Sequence, residues 1–567
     1  MPKKEKGNSK MIHHLIRIVL TVCAQIILSA GIAFATDHTI AEIIKIKVEQ
    51  IRSTESLQID DAQIASITVL PELYENNGFQ RLWTKPQNVE DLLTAIKTID
   101  EDGLRPDDYH ITEIEQLRSQ IGSSASSRPM LLANLDILLT DSLIRLGYHL
   151  VFGKVDPEDH HPHWNLAVEI DDDEPVPAVQ KILDADSLAN EIEALRPQNI
   201  IYRRLKSALK KYRVLKADGG WEPLPEGPTL KKGMMDNRIL LLRQRLKITG
   251  DLQAEASNSE SFDDQLEQAV IRFQNRHHLT ADGAVGKQTL AALNAPVEDR
   301  IDQIRINLER ARWVLHAISG QFVIADIAGF EVFVYENDKI VWTSRVQVGR
   351  PYRRTPVFKS EIKYLDLNPT WTIPPGILTK DILPAVKKDP NYLKERNIKV
   401  LDRNGKTVNQ GKIDWSKYTG RNFPYQLRQD PGPDNAMGLI KIMFPNKHLV
   451  FIHDTPSKSL FERTDRTFSS GCIRTEKPFE LAEILLDDPD NWNAESFKQV
   501  IDSGRTQTVM LPKPVPILLF YWTAAVQPNG TVRFKKDPYK RDAEVLEGLN
   551  GNFKFRKRPV GQKRQTL

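Results

Sequence analysis

Two side chains in this 567-residue sequence stand out as able to do covalent chemistry, the thiol of Cys472 and the imidazole of His453. A free thiol is only partly ionised near neutral pH, and a neighbouring imidazole can take its proton or stabilise the thiolate. The two residues are 19 positions apart, a distance that a loop can close. His453 follows the apolar run Leu449 to Ile452 and is expected at a strand end. Cys472 follows Ser469-Ser470-Gly471 and precedes Pro478, which can open a helix over Phe479 to Leu486. Gly471 permits close backbone approach, and the N–H groups of Gly471 and Cys472 are candidate oxyanion donors. Arg474 could bind a substrate carboxylate or carbonyl, and Ser469 and Ser470 offer hydroxyls for orientation. Taken singly, each residue has an ordinary structural explanation, such as a buried small hydrophobe for the cysteine. Their joint occurrence points to a nucleophile and its base.

The rest of the chain says where this chemistry would take place. Lys3, Lys4, Lys6, Lys10 and Arg17 precede an apolar run from Ile18 to Ala35 that ends Ala33-Phe34-Ala35. That order reads as a signal peptide or an uncleaved anchor over 1–36, with everything after it outside the cytoplasm. Cys23 lies inside this segment, where Val22 and the continuing apolar run argue against lipid attachment. Cys472 is then the only cysteine of the exported body, so it has no internal disulfide partner. The net charge of +3 is close to balanced and gives no reason to expect nucleic acid as a partner. Basic residues at the end of the chain, Arg556 to Arg564, read as a solvated tail over 541–567.

The length predicts several domains of an α+β protein. Residues 37–230 read as a helical scaffold, with Leu135, Leu138, Leu139, Leu143 and Leu146 at helical spacing. The group His160, His161 and His163 is broken by Pro162 and lacks metal-ligand spacing. A linker over Pro223 to Pro228 leads to a three-helix module at 236–295. There Gly283, Gly286, Lys287 and Thr289 lack both the spacing and the preceding strand of a phosphate loop. From 320 to 540 short β-branched and aromatic runs predict a mostly β domain, with pairs across Glu336 to Lys339, Pro445 to His448 and Pro528 to Gly530. A long insertion over about 371–437 interrupts it and reads as a lid.

At these residues the sequence resembles the L,D-transpeptidase family with its YkuD-type catalytic domain, whose signature is a histidine followed by [ST]-H-G-C and a nearby arginine. "FIHDTPSKSLFERTDRTFSSGCIR", "VQVGRPYRRTPVF", "LNPTWTIPP" and "PVPILLFYWTAAVQPNGTVRF" match its large periplasmic multi-domain branch, and "LPELYENNGFQRLWT" and "EDGLRPDDYH" extend the match into the scaffold. "FDDQLEQAVIRFQNRHHLTADGAVGKQTLAALN" resembles a peptidoglycan-binding module. Ser470 stands where the wider family has a second histidine, which leaves His453 as the base.

The resemblance implies that the Cys472 thiolate attacks the third residue of a tetrapeptide stem, expels D-alanine and forms a thioester. An amine from a neighbouring stem, a small lipoprotein or a free D-amino acid then resolves it, giving 3→3 crosslinks in the first case. No metal or other cofactor is implied. Carbapenems are expected to acylate Cys472. The carbonyl near Asp454 would hold the second nitrogen of His453, and Asp454, Ser469 and Trp371 would contact substrate. Rival readings are an L,D-carboxypeptidase or endopeptidase using the same thiol, and a non-catalytic wall-binding scaffold.

Overall fold

A computed structural model of the chain describes residues 38–121, 127–160, 175–253, 259–317 and 320–553. The expected export segment over 1–36, the histidine group at 160–163 as a set of ligands, and the basic residues at 556–564 lie outside the described side chains. Among the described residues, no helix is long and apolar enough to cross a membrane. The chain divides into two units, one of Met1–Lys154, Val168–Pro197 and Asn550–Leu567, the other of Val155–Ala167 and Gln198–Leu549.

The first unit is helical apart from a small hairpin, β1 (Gln58–Ile59) and β2 (Ala62–Gln63). Its central helix Arg128–Phe152 buries the leucines picked out by helical spacing. Two buried carboxylates on that helix tie down the surrounding loops. Asp136 accepts from the N–H groups of Leu82 and Trp83 and from the Tyr74 hydroxyl. Asp141 accepts from the N–H groups of Ala65 and Ser66 and pairs with His110 and Arg145. Buried carboxylates without such partners would be costly, so these are structural nodes.

The second unit begins earlier than composition suggested. Helix Ile200–Ala217 lies along helix Val297–Val314, where Arg312 Nη1 is 3.1 Å from the Tyr202 hydroxyl. The buried stripe Tyr202, Leu205, Leu209 and Tyr212 of this helix, ahead of the proline-rich linker, packs within this unit. Within the stretch expected as a tail, Asp542–Asn550 forms a helix that buries Val545 and Leu549 and pairs Asp542 with Arg310 at 2.7 Å.

The module has the three expected helices, Arg238–Ile248, Asp264–Arg276 and Lys287–Leu293. Ile239, Leu242, Leu266, Phe273 and Leu293 form its core. The loop Asp282 to Thr289 wraps the buried Gln274, whose amide donates to Asp282 Oδ1, Ala284 O and Thr289 Oγ1 while its carbonyl accepts from Gly283 N–H. That wrapping gives the motif's polar residues a structural role.

The strands that position the site are β3 (Gln321–Asp326), β4 (Glu331–Glu336), β5 (Lys339–Gly349), β6 (Phe358–Leu367), β7 (Trp371–Thr372), β8 (Ile398–Leu401), β9 (Thr407–Val408), β10 (Gln426–Gln429), β11 (Ile440–Met443), β12 (Ile452–His453), β13 (Thr467–Ser469), β14 (Ile473–Thr475) and β15 (Gln507–Phe520). A hairpin of β16 (Ala524–Val526) and β17 (Val532–Phe534) follows. A nine-stranded sheet runs β13-β5-β14-β12-β11-β6-β15-β3-β4, and β4 also pairs with β5, so the pairings close into a ring. Strand β15 carries Pro512, Pro514 and Pro516, and its register against β6 shifts between Met510 and Val515. The shift accommodates Pro512 and Pro514 outside the regular ladder.

The insertion leaves after β6 and returns at β11, and these two strands are paired. It carries its own sheet, β7-β10-β8-β9, and its own core of Ile373, Ile382, Val386, Leu393, Ile398, Val400 and Leu427. Its helical stretch runs from Pro375–Ile377 through a π-turn at Leu378–Ile382 to Leu383–Lys388.

Candidate active site

Register across the sheet places His453 within a row of polar side chains. Lys441 on β11 is opposite His453 on β12, His453 is level with Arg474 on β14, and Arg474 is opposite Gln347 on β5. Asp366 on β6 continues the row beyond Lys441. Cross-strand partners share a face of the sheet. Cys472 lies two residues before Arg474 and projects from the same face, with the chain held by Ile473 N–H to Phe451 O at 2.9 Å.

His453 is buried, and its Nδ1 lies 2.5 Å from the carbonyl oxygen of Asp454. A carbonyl can only accept, so Nδ1 carries the proton and Nε2 is the basic nitrogen. Burial lowers its pKa most, the Arg474 charge lowers it further and Lys441 adds to this, against the main chain of Asp454 and Met437; the result is about 3. The shift favours the neutral ring near neutral pH. Burial raises the pKa of the half-buried Cys472, opposed by the Phe451 main chain and the charges of Arg474 and Lys441. Its Sγ lies 3.7 Å from the Leu449 carbonyl. Leu449 is held at a φ of 54°, unusual for a branched residue and a feature found at strained functional turns. Both shifts favour a neutral thiol and a neutral imidazole at rest, with two cations placed to stabilise a thiolate once it forms.

Arg474 Nη1 is 3.4 Å from Gln347 Oε1, and its buried Nε has no acceptor among the described residues. That leaves donor capacity for a substrate oxygen. Burial lowers the pKa of Arg474, and the adjacent Cys472 opposes the shift.

The nucleophile's turn is held from behind. Gly471 has a φ of 121°, which side chains disfavour. Ser469 is buried, and its Oγ accepts from Gly471 N–H at 3.1 Å and donates to Cys472 O at 2.6 Å. In this arrangement the Gly471 N–H is bonded to Ser469 Oγ, and Ser469 braces the turn that carries Cys472. Thr355 Oγ1 donates to Gly471 O at 2.9 Å and accepts from Gly349 N–H at 2.9 Å, and the Tyr539 hydroxyl donates to Gly349 O at 2.6 Å.

Asp454 and Trp371 also have partners within the protein. The Asp454 carboxylate is buried, accepts from Leu439 N–H at 3.0 Å and pairs with Lys458, so it fixes the lid's return strand. Trp371 pairs with Gln429 and packs against the lid's own core. Ser470 is exposed, and its Oγ accepts from Arg353 Nη1 at 2.9 Å.

Lys441, Gln347, Thr355 and Tyr539 were not singled out from the sequence. Thr355 lies in the run "VQVGRPYRRTPVF", but Lys441 and Gln347 are visible only through strand register. Thr355→Val removes a buried donor and leaves the Gly471 carbonyl and Gly349 N–H unmatched. We expect a loss of about 1–3 kcal/mol of stability and slower Cys472 alkylation, read by denaturation and by mass-monitored haloacetamide labelling.

Residues 320–517 match the family model described as "L,D-transpeptidase catalytic domain". Residues 68–209 match "Scaffold domain", and 236–293 match "Putative peptidoglycan binding domain". A Haemophilus influenzae protein described as "Putative L,D-transpeptidase" is 34% identical over 272 residues, which cover 47% of this chain and 54% of that protein. The chain thus spans about half the length of this curated relative. An L,D-transpeptidase structure from Xylanimonas cellulosilytica aligns at 14% identity and a TM-score of 0.17, covering 53% of this chain and 100% of that one. One from Stackebrandtia nassauensis aligns at 13% identity and 0.20, covering 53% and 97%. Superpositions that weak add nothing to the family match. The part of the chain that carries Cys472 and His453 thus matches the L,D-transpeptidase catalytic domain family, and segments that match a peptidoglycan-binding domain and a scaffold domain precede it.

Proposed function

We propose that this protein is a peptidoglycan L,D-transpeptidase that forms 3→3 crosslinks through a thioester on Cys472. The observation that carries this reading is the register row Lys441–His453–Arg474, with Cys472 on the same face. His453 Nε2 takes the thiol proton as sulfur attacks the carbonyl of the third stem residue. The shifts at the two groups favour proton transfer that accompanies attack over a preformed ion pair. The Cys472 N–H and Arg474 stabilise the negative charge that develops. The C–N bond to terminal D-alanine breaks, and imidazolium returns the proton to the leaving amine. An acceptor amine then attacks the thioester, forms the amide and releases the thiol.

The cell-wall-acting domains imply a location outside the cytoplasm, and the basic-apolar segment at the N-terminus supports a periplasmic, signal-bearing or anchored protein. Stem peptides are the proposed substrates, and the acceptor is a neighbouring stem, a lipoprotein amine or a D-amino acid. Incubation with a purified tetrapeptide stem tests the reading. Crosslinked dimers with release of D-alanine are expected, whereas tripeptide alone would make the enzyme a carboxypeptidase.

A further inference from the structure

The turn that follows β5 links the lid to the catalytic turn. It is tight, since a Cβ on Gly349 would come 2.1 Å from Arg353 O. Arg350 N–H bonds to Ser469 O at 3.1 Å, and Arg353 N–H bonds to Arg350 O at 2.8 Å, so this turn packs directly on the one bearing Cys472. From it the Arg353 guanidinium reaches in two directions. Nη1 donates to Ser470 Oγ at 2.9 Å. Nη2 donates to Asp381 Oδ1 at 2.9 Å, and Nη1 also pairs with Asp381 Oδ2.

Asp381 lies in the π-turn Leu378–Ile382 of the lid, and such turns are frequent at functional sites. Outside the two roots of the insertion, this is the one polar link between lid and ring among the described residues. The lid has its own sheet and its own core, so it can move as a body about those roots. A forked guanidinium suits the junction, because it can hold a carboxylate and a hydroxyl at once.

We propose that Arg353 is a positioning residue that couples seating of the lid to the geometry of the nucleophile's turn, through Asp381 on one side and Ser470 on the other. With the lid seated, Asp381 holds the guanidinium on Ser470, two residues from Cys472. When the lid lifts, the guanidinium loses its carboxylate and Ser470 loses a fixed donor. Only the kinetic arm of the test rests on the proposed transfer reaction.

The experiment compares Asp381→Asn, Arg353→Gln and the reversed pair Arg353→Glu with Asp381→Arg in the full chain. Hydrogen exchange of amides 378–388 reads the lid, and the rate of Cys472 alkylation by a small haloacetamide reads the turn. Each single variant is expected to speed exchange about fivefold or more, as loss of a pair of this kind would, and to change the alkylation rate several-fold. With stem substrate, KM should rise more than kcat falls. The reversed pair restores protection in the lid but not the alkylation rate, because glutamate cannot donate to Ser470. Unchanged exchange in both single variants overturns the latch. Faster exchange with an unchanged alkylation rate overturns the coupling. Absence of transpeptidation with both labelling effects intact would refute the proposed reaction and leave the coupling standing.

Discussion

Cys472→Ser is expected to lower acyl transfer by about 10³-fold or more and to abolish covalent capture of a carbapenem. Serine keeps the shape of the side chain, and the main-chain bonds that hold the turn do not use Sγ, whose contact is a long one to the Leu449 carbonyl. Ser469 Oγ bonds to the carbonyl of residue 472, and Ile473 N–H bonds to Phe451 O. The fold should therefore survive the exchange. What changes is acidity, for a hydroxyl is much harder to deprotonate than a thiol. His453, with a pKa near 3 in the folded protein, is too weak a base to compensate. Intact-mass measurement after carbapenem treatment gives the readout, with one adduct on the wild type and none on the variant. An adduct on the variant, or dimers still formed from tetrapeptide stems, would remove Cys472 from the mechanism.

The elements around this cysteine were legible because their signals are local. Alternation, turn residues and a helix-opening proline gave β3 to β5, β11 and helix Pro478–Leu486, whereas the run expected as a strand over Leu449 to Ile452 pairs only at Ile452–His453. Strand β15 was hidden, since Pro512, Pro514 and Pro516 argue against a strand; the register shift takes Pro512 and Pro514 out of the ladder, and Pro516 pairs with Glu361. Lys441 and Gln347 could not be found either. Their relation to His453 and Arg474 depends on which strands pair and in what register, and that is long-range information. Ser469, Gly471 and Asp454 were found as residues, but their partners were not legible. Proximity to a thiol does not reveal that the serine hydroxyl accepts from the glycine N–H, and a carboxylate next to His453 does not show that Leu439 and Lys458 hold it.

His453→Asn separates the roles of that residue by pH. Asparagine retains a side-chain donor for the Asp454 carbonyl, so the local structure has a replacement for Nδ1, but the basic nitrogen is gone. We expect kcat/KM to fall about 10²- to 10⁴-fold, the usual worth of a general base. The sign of the stability effect follows from the depressed pKa. In the unfolded chain the imidazole takes a proton below its ordinary value of 6.5, whereas the folded protein resists protonation until about pH 3. The unfolded state thus binds more protons between those values, and stability falls as pH drops from 6.5 towards 3. Those 3.5 units correspond to a ceiling of about 5 kcal/mol. His278, held near 2 and accepting from Arg533 at 2.7 Å, and the buried His277 add to the same acid sensitivity. The variant should therefore lose less melting temperature than the wild type between pH 7 and pH 4, while being far less active at pH 7. Wild-type alkylation should also climb steadily with pH and show no step near 6.5, because the shifts favour a neutral resting pair. A step there would mean a preformed thiolate–imidazolium pair, and an unchanged acid slope in the variant would mean that His453 is already protonated in the folded protein.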